Sequence, residues 1–270
     1  IDQLAAVLAA HGLQSFTRRR LLSPPRRALA LFPRAFQRSP DTVPILCDYV
    51  GPAYAKRQLS KDWPRTRDGR PVLLISLGTL YDNDLPFFRM CIEALGDTRW
   101  HVIMKIGRRV DTAALGALPR HFEVHYSVPQ FDILAGADLF IGHGGMAGVM
   151  EATVHSVPIV AIPQVAEQRV TAEQVALNKI GVHLPRQLVT ASSLRDAVLR
   201  AASDPDIVHG IAVMQRHIQR SGGAPAAADL IEKLLPHGWP PGNRPPPLPV
   251  CSRSGDPLPI VPKVTSGMEE

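Results

Sequence analysis

The sequence is short of the residues that would place it in several broad classes. Its 270 residues include only three cysteines, Cys47, Cys91 and Cys251. They are far apart and form no CxxC pair, so neither a disulfide framework nor a cysteine zinc site is expected. No run reaches the roughly 18 to 20 consecutive apolar residues of a transmembrane helix. The opening stretch IDQLAAVLAAHG reads as a short amphipathic helix and not as a secretion signal. A reducing cytoplasm is the expected compartment. Aromatic residues make up 6% of the chain. None forms a stacking platform beside the arginines of TRRRLLSPPRRALALFPRAFQR, where Arg18, Arg19, Arg20, Arg26, Arg27, Arg34 and Arg38 concentrate the net charge of +6. Without such a platform the cluster reads as a solvated or covered face, and neither nucleic acid nor a membrane is expected as a partner.

What is present describes an ordinary globular protein, 45% apolar and 20% charged. The chain opens on Ile1, as a processed or truncated product would. Residues 1–38 carry short apolar and helix-like pieces broken by Pro24, Pro25 and Pro33, and residues 39–70, rich in proline and charge, read as a linker. From Pro71 the pattern alternates. PVLLISLG, WHVIMKIG, FEVHYSV, DLFIGHG and VPIVAIP read as strands, and LPFFRMCIEAL, QFDILAGA, GVMEATVHS and TAEQVALNKIG as helices, the last stopped by Gly181. ASSLRDAVLRAASDP starts on a serine cap and ends before Pro205, and two more helical stretches run to about Leu235. Continuously apolar strands bounded by helices imply a parallel sheet covered on both faces, a doubly wound, Rossmann-like α/β domain over residues 71–236. The proline-rich remainder, 237–270, has little to bury and reads as a disordered tail.

IGHGGMAGVMEA, residues 141–152, sets His143 among glycines at a strand-to-helix turn. In doubly wound sheets ligands sit beyond the carboxyl ends of the strands. A helix starting near Gly145 would aim free N–H groups and its positive dipole end at a phosphate. Packing glycines recur at such turns as well, so the stretch alone decides nothing. Gly142, Gly144 and Ala147 satisfy a dinucleotide fingerprint, but the next strand ends in Pro163 and Gln164 where an acidic residue for the ribose is needed. After that strand, PQVAEQ sets Glu167 beside Gln168, a carboxylate and an amide suited to sugar hydroxyls; a polar helix start reads the same way. His121 and His125 share a strand face without a third ligand, so no metal is expected there.

The run from SVPQFDILAGADLFIGHGGMAGVMEA to VPIVAIPQVAEQ resembles the donor signature of family 1 glycosyltransferases, and most closely the bacterial macrolide glycosyltransferases. RPVLLISLGT, the FPRAFQ and YVGP pieces upstream, and SDPDIVHGIAVMQRHIQRSGGAPAAADLIEKLL extend the similarity over roughly residues 30 to 236. The resemblance implies the C-terminal, UDP-sugar-binding domain of a two-domain GT-B fold, with residues 1–38 a remnant of the acceptor domain and 39–70 the interdomain linker. It implies that Val128 and Gln130 meet the uracil and ribose edges and Glu151 the ribose hydroxyls. His143, Gly145 and the helix start that follows (Met146, Ala147, Gly148, Val149) would hold the diphosphate, with Thr79 close by. Glu167 and Gln168 would hold the sugar hydroxyls. The family needs no metal and no cofactor, since helix dipole and side-chain donors stabilise the leaving diphosphate and the UDP-sugar is a co-substrate.

Three departures from that family's pattern stand out. Ser127 replaces the aromatic residue that stacks on uracil, a loss of about 1 to 3 kcal/mol. Tyr126 next to it points to the opposite face of the strand. Gly142, Gly148 and Val149 replace hydroxyl residues around the phosphate. A histidine base oriented by an aspartate belongs to the N-terminal domain of such enzymes, and fewer than about 70 residues precede the donor domain here, whereas a usual domain takes about 50 to 200 and this family's uses the upper part of that range. His11 has only its residue type to recommend it as the base.

The expectation is therefore the donor-binding half of an inverting transferase that moves a hexose, such as glucose, to a small hydrophobic natural product, with little transfer activity alone. The alternatives are an inactive UDP-sugar-binding module or relic, and a UDP-sugar epimerase of the same fold.

Overall fold

In the computed structural model, residues 27–43, 45–54, 69–80 and 82–234 are described, together with residues 4, 6 and 7. Strands β1 (Arg27–Ala30) and β2 (Leu46–Tyr49) pair in parallel, Arg27 opposite Leu46. Arg27 Nε donates to Asp48 at 2.5 Å across the pair. β2 falls inside the segment read as a linker; residues 55–68 of that segment, His11, Arg18–Arg26, Cys251 and the tail lie outside the described residues.

The main sheet is built from β3 (Val72–Ser76), β4 (His101–Lys105), β5 (Phe122–His125), β6 (Leu139–Gly142), β7 (Ile159–Ala161) and β8 (Gly181–His183). All neighbours are parallel, in the order β5-β4-β3-β6-β7-β8. Between them run α1 (Leu85–Leu95), α2 (Gln130–Leu134), α3 (Met146–Val154) and α4 (Ala166–Leu177), followed by α5 (Ala191–Ser203), α6 (Pro205–Arg220) and α7 (Gly223–Leu234). Two units are distinguished, Ile1–Leu230 and Ile231–Glu270; of the second, only residues 231–234 are described.

Side-chain alternation explains why these strands are apolar throughout. Leu73 and Ile75 of β3, with Val102, Met104 and Ile141, enter a core closed by Phe88 and Cys91 of α1 and Leu194 and Val198 of α5. Leu74, Ile103, Phe140 and Ile159 point the other way, into a core closed by Val149 of α3, Val175 of α4 and Ile211 of α6. The central strands β3, β4, β6 and β7 are thus covered on both faces, and each fully buried Leu or Ile contributes about 1.5 to 3 kcal/mol. Cys47 and Cys91 are free thiols, and burial drives Cys91's pKa far upward, which makes it an inert core residue.

Two local expectations need correction. The sixth strand, β8, occupies GVH, where the sequence reading saw only a helix stop. Three residues are too few to show a period, and pairing with β7 is what makes them a strand. The cap of α5 is Thr190 and not a serine. Its hydroxyl accepts from Ser193 N–H at 3.1 Å while Ser193 Oγ accepts from Thr190 N–H at 2.8 Å, a reciprocal capping box.

Candidate functional site

The strand order reverses between β3 and β6, and that is where the crevice of a doubly wound sheet opens. The carboxyl ends line up there: Ser76 of β3 is level with Gly142 of β6 on one side and with Lys105 of β4 on the other. Beyond them lies a cavity of about 610 Å³, well within the usual 300 to 1,000 Å³ of small-ligand sites.

Its β6 wall is the glycine stretch. Gly144 has φ +75°, a conformation other residues rarely adopt, and a side chain there would also crowd the Gln168 carbonyl at 3.1 Å. This turn delivers the chain to Gly145, which begins α3 with no side-chain cap. The N–H groups of the first turn therefore remain available to a ligand, and the helix adds the positive end of its dipole. The His143 ring fits between two glycines. A Cβ on Gly78 would lie 2.7 Å from His143 Cε1, and one on Gly145 would overlap Nε2. His143 Nδ1 is buried beside the Ser76 backbone without a hydrogen bond of normal geometry, and the ring lines the cavity. Burial pushes the His143 pKa below the ordinary imidazole value; the Ser76 backbone and then Glu167 oppose the shift, and Lys105 reinforces it. The ring is neutral at pH 7.

Opposite the helix start, Gln130 at the head of α2 donates through Nε2 to Glu151 Oε2 at 2.7 Å. The two groups expected to meet the nucleoside are thereby fixed against one another. Tyr54, which reaches over from the chain after β2, donates its hydroxyl to the Ala147 carbonyl at 3.0 Å and packs at a tilt of 49° against Phe131, with centroids 5.0 Å apart. Burial first, and Glu151 second, raise its pKa, so it stays a hydroxyl. Gln168 Oε1 accepts from Gln164 N–H at 2.9 Å, which pins the loop after β7 and leaves its amide nitrogen and the exposed Glu167 carboxylate as polar groups for a ligand.

Of the residues picked out from the sequence, Thr79, Ser127, Val128, Gln130, His143, Gly145, Met146, Ala147, Gly148, Glu151, Glu167 and Gln168 all line this one cavity. Val149 does not. It is 1% exposed and packs in the core, because the fourth residue of α3 faces the sheet. Gly142 is likewise not a stripped phosphate contact: a Cβ there would strike the Phe140 ring at 2.6 Å, so its small size serves packing. Gly148 differs, since its added Cβ would meet nothing closer than Gln130 Nε2 and Phe140 at 3.5 Å. Ser127 is exposed at the rim.

The sequence reading missed Ser76, Leu77, Gly78, Leu80 and Lys105, which also line the cavity. Lys105 is the most consequential. A lysine closing an otherwise apolar strand, HVIMK, was the available signal. It is 9% exposed and pairs with Asp82, 8% exposed, while also donating to the Gly78 carbonyl. No group of three or more His, Cys, Asp or Glu side chains among the described residues is placed to hold a metal ion. No described helix is long and apolar enough to cross a membrane.

An uncapped helix start and a neutral imidazole can hold a diphosphate, a carboxylate–amide pair can hold a diol, and a second such pair can hold further hydroxyls. They stand together in the C-terminal, Rossmann-like domain of a GT-B fold. Residues 89–234 match the erythromycin biosynthesis protein CIII-like family, C-terminal domain, and the chain belongs to that family. It is 44% identical over 226 residues to the NDP-glycosyltransferase YjiC of Bacillus licheniformis, covering 83% of this chain and 57% of that protein. It is 38% identical over 207 residues to the demethyllactenocin mycarosyltransferase of Streptomyces fradiae, covering 77% of this chain and 45% of the relative. Among solved structures, the glycotransferase of kitacinnamycin superposes with a TM-score of 0.75 at 37% identity, over 87% of this chain and 61% of its own. The chain thus spans about half the length of the curated relatives it matches.

Proposed function

We propose that this chain binds the donor for a UDP-dependent glycosyltransferase that moves a hexose, such as glucose, to a hydroxyl of a small hydrophobic natural product, with inversion and without a metal. The observation that carries the reading is the convergence of three separate segments on one cavity at the switch point: Val128 with Gln130, His143 with Gly145–Gly148 and Glu151 of α3, and Glu167 with Gln168. Relatives named as NDP-glycosyltransferase and mycarosyltransferase support the same class.

In this mechanism the α3 N–H groups and His143 take up the charge that develops on the departing diphosphate. An acceptor oxygen attacks the anomeric carbon from the opposite face, the carbon–phosphate oxygen bond breaks, and a base removes the acceptor proton. Among the cavity-lining residues His143 is the one histidine, and its place at the diphosphate makes it a donor-side group and not that base. The base and the acceptor pocket are assigned to chain that the longer relatives contain, with residues 71–236 here as the donor domain. By itself the chain is expected to bind UDP and to turn over little. Calorimetric titration should detect UDP binding that His143→Ala weakens at least tenfold. Absence of binding would favour a relic. Brisk glucosylation of a macrolide or flavonoid by the isolated chain would contradict the donor-only role, and conversion of UDP-sugar without acceptor would favour an epimerase.

A further inference from the structure

The buried pair Lys105–Asp82 is used by nothing in the proposed transfer, yet it stands in the wall of the cavity. Lys105 is the only lysine or arginine among the cavity-lining residues, whose carboxylates are Glu151 and Glu167. Its ammonium is shared between the Asp82 carboxylate and the Gly78 carbonyl. Two further contacts tie the same two segments together. Gly107 N–H donates to the Asp82 carbonyl at 2.5 Å, and Arg109 N–H donates to Asn83 Oδ1 at 3.1 Å. The turn after β3 is therefore stitched to the exit of β4 from Lys105 through Arg109.

A buried ion pair is poor evidence for stability, because desolvation offsets most of its attraction; its better-attested use is to specify one arrangement among several. Here the arrangement specified is the Gly78 turn. Gly78 has φ +81° and its α-carbon faces the His143 ring closely enough that a Cβ would collide with it. Where Gly78 sits therefore decides where the imidazole can sit. Thr79 and Leu80, which also line the cavity, follow directly in the same turn.

We propose that Lys105 is a positioning residue of the donor site: held by Asp82, it fixes the Gly78 turn, and the turn seats His143 against the start of α3. The consequence for donor binding rests on the proposed function; the seating of His143 does not. The Lys105 charge also bears on the imidazole, as the smallest of the influences on the His143 pKa, and lowers it.

The test is made on the full chain with three variants, Lys105→Met, Asp82→Asn and the two combined. The combined variant leaves no unpaired buried charge, so it guards against simple unfolding, which circular dichroism and a cooperative thermal transition would check. The first readout needs no ligand. NMR titration of the His143 imidazole should show a raised pKa and a moved ring resonance in Lys105→Met and in the combined variant. In Asp82→Asn, where the ammonium loses its counter-charge, the pKa should fall. The second readout is UDP affinity by calorimetry, expected to drop at least tenfold in the combined variant. Unchanged His143 resonances and pKa in all three variants would overturn the inference. So would a chain that binds UDP equally well with and without the pair. A moved His143 in a chain that never binds UDP would uphold the positioning and count against the proposed function alone.

Discussion

Two turns leave the sheet at its switch point and meet where Gly78 lies against the His143 ring. They reach their shapes by different means. The turn after β6 is made locally, by Gly144 at positive φ and by Gly145 opening α3 without a cap. The turn after β3 is held at long range, by a lysine 27 residues away that reaches the Gly78 carbonyl and Asp82. The lesson is that a site's chemistry can lie in a contiguous motif while its geometry depends on a residue no motif contains.

The largest effect should come from the β6 side. Glu151→Ala removes a carboxylate that is already positioned by Gln130. A hydrogen bond to a charged group is worth about 1.5 to 3 kcal/mol, so UDP should bind roughly 10- to 150-fold more weakly by calorimetry. An effect under threefold would remove Glu151 from the donor's contacts. The rim offers the reverse change. Ser127→Trp should restore a stacking surface worth about 1 to 3 kcal/mol, and quenching of the new tryptophan's fluorescence by UDP would report tighter binding at least fivefold.

On the β3 side, Gly78→Ala meets both the backbone conformation and the His143 ring. A residue other than glycine in that region costs roughly 1 to 2 kcal/mol. The expected outcome is a lower thermal midpoint together with a several-fold loss of UDP affinity. If only the midpoint falls, the turn supports the fold without shaping the site.

Acidification tests the fold that carries both turns. Burial lowers the pKa of His143, His155 and His183, each of which has a buried nitrogen without a hydrogen bond of normal geometry. Their unfolded forms titrate near about 6.5 and bind protons before the folded forms do. Stability from these groups is thus complete above that value and drains away as pH falls through the depressed folded values. Thermal midpoints should decline between pH 7 and pH 5, and a flat or rising profile would contradict the neutral, buried assignment. The smallest expected effect is a gain: Gly148→Ser adds a hydroxyl where the new Cβ meets only ordinary contacts, and should tighten UDP binding by about twofold to fivefold, part of one charged hydrogen bond.

Legibility in the sequence followed the same division. The long buried strands β3, β4 and β6 and their helices could be read because covering both faces forces unbroken apolar runs. VPQ, HGGM, ME and PQVAEQ, which the family resemblance marked together, supply residues that line one cavity. β8 could not be read, since three residues carry no period, and β2 lies in chain whose composition suggested a linker. Val149 and Gly142 were misplaced because sequence order does not say which face of a helix or strand end meets the core. Lys105 and Asp82 were invisible as a pair because only the parallel register of β3 and β4 brings them together.

The central claim is that α3 and His143 receive a nucleoside diphosphate. A crystal structure of the chain with UDP tests it most directly. The account predicts phosphate oxygens within about 3 Å of the backbone nitrogens of Met146–Gly148, with the ribose at Glu151. UDP ordered at any other place on the molecule, with the start of α3 uncontacted at saturating ligand, would contradict it.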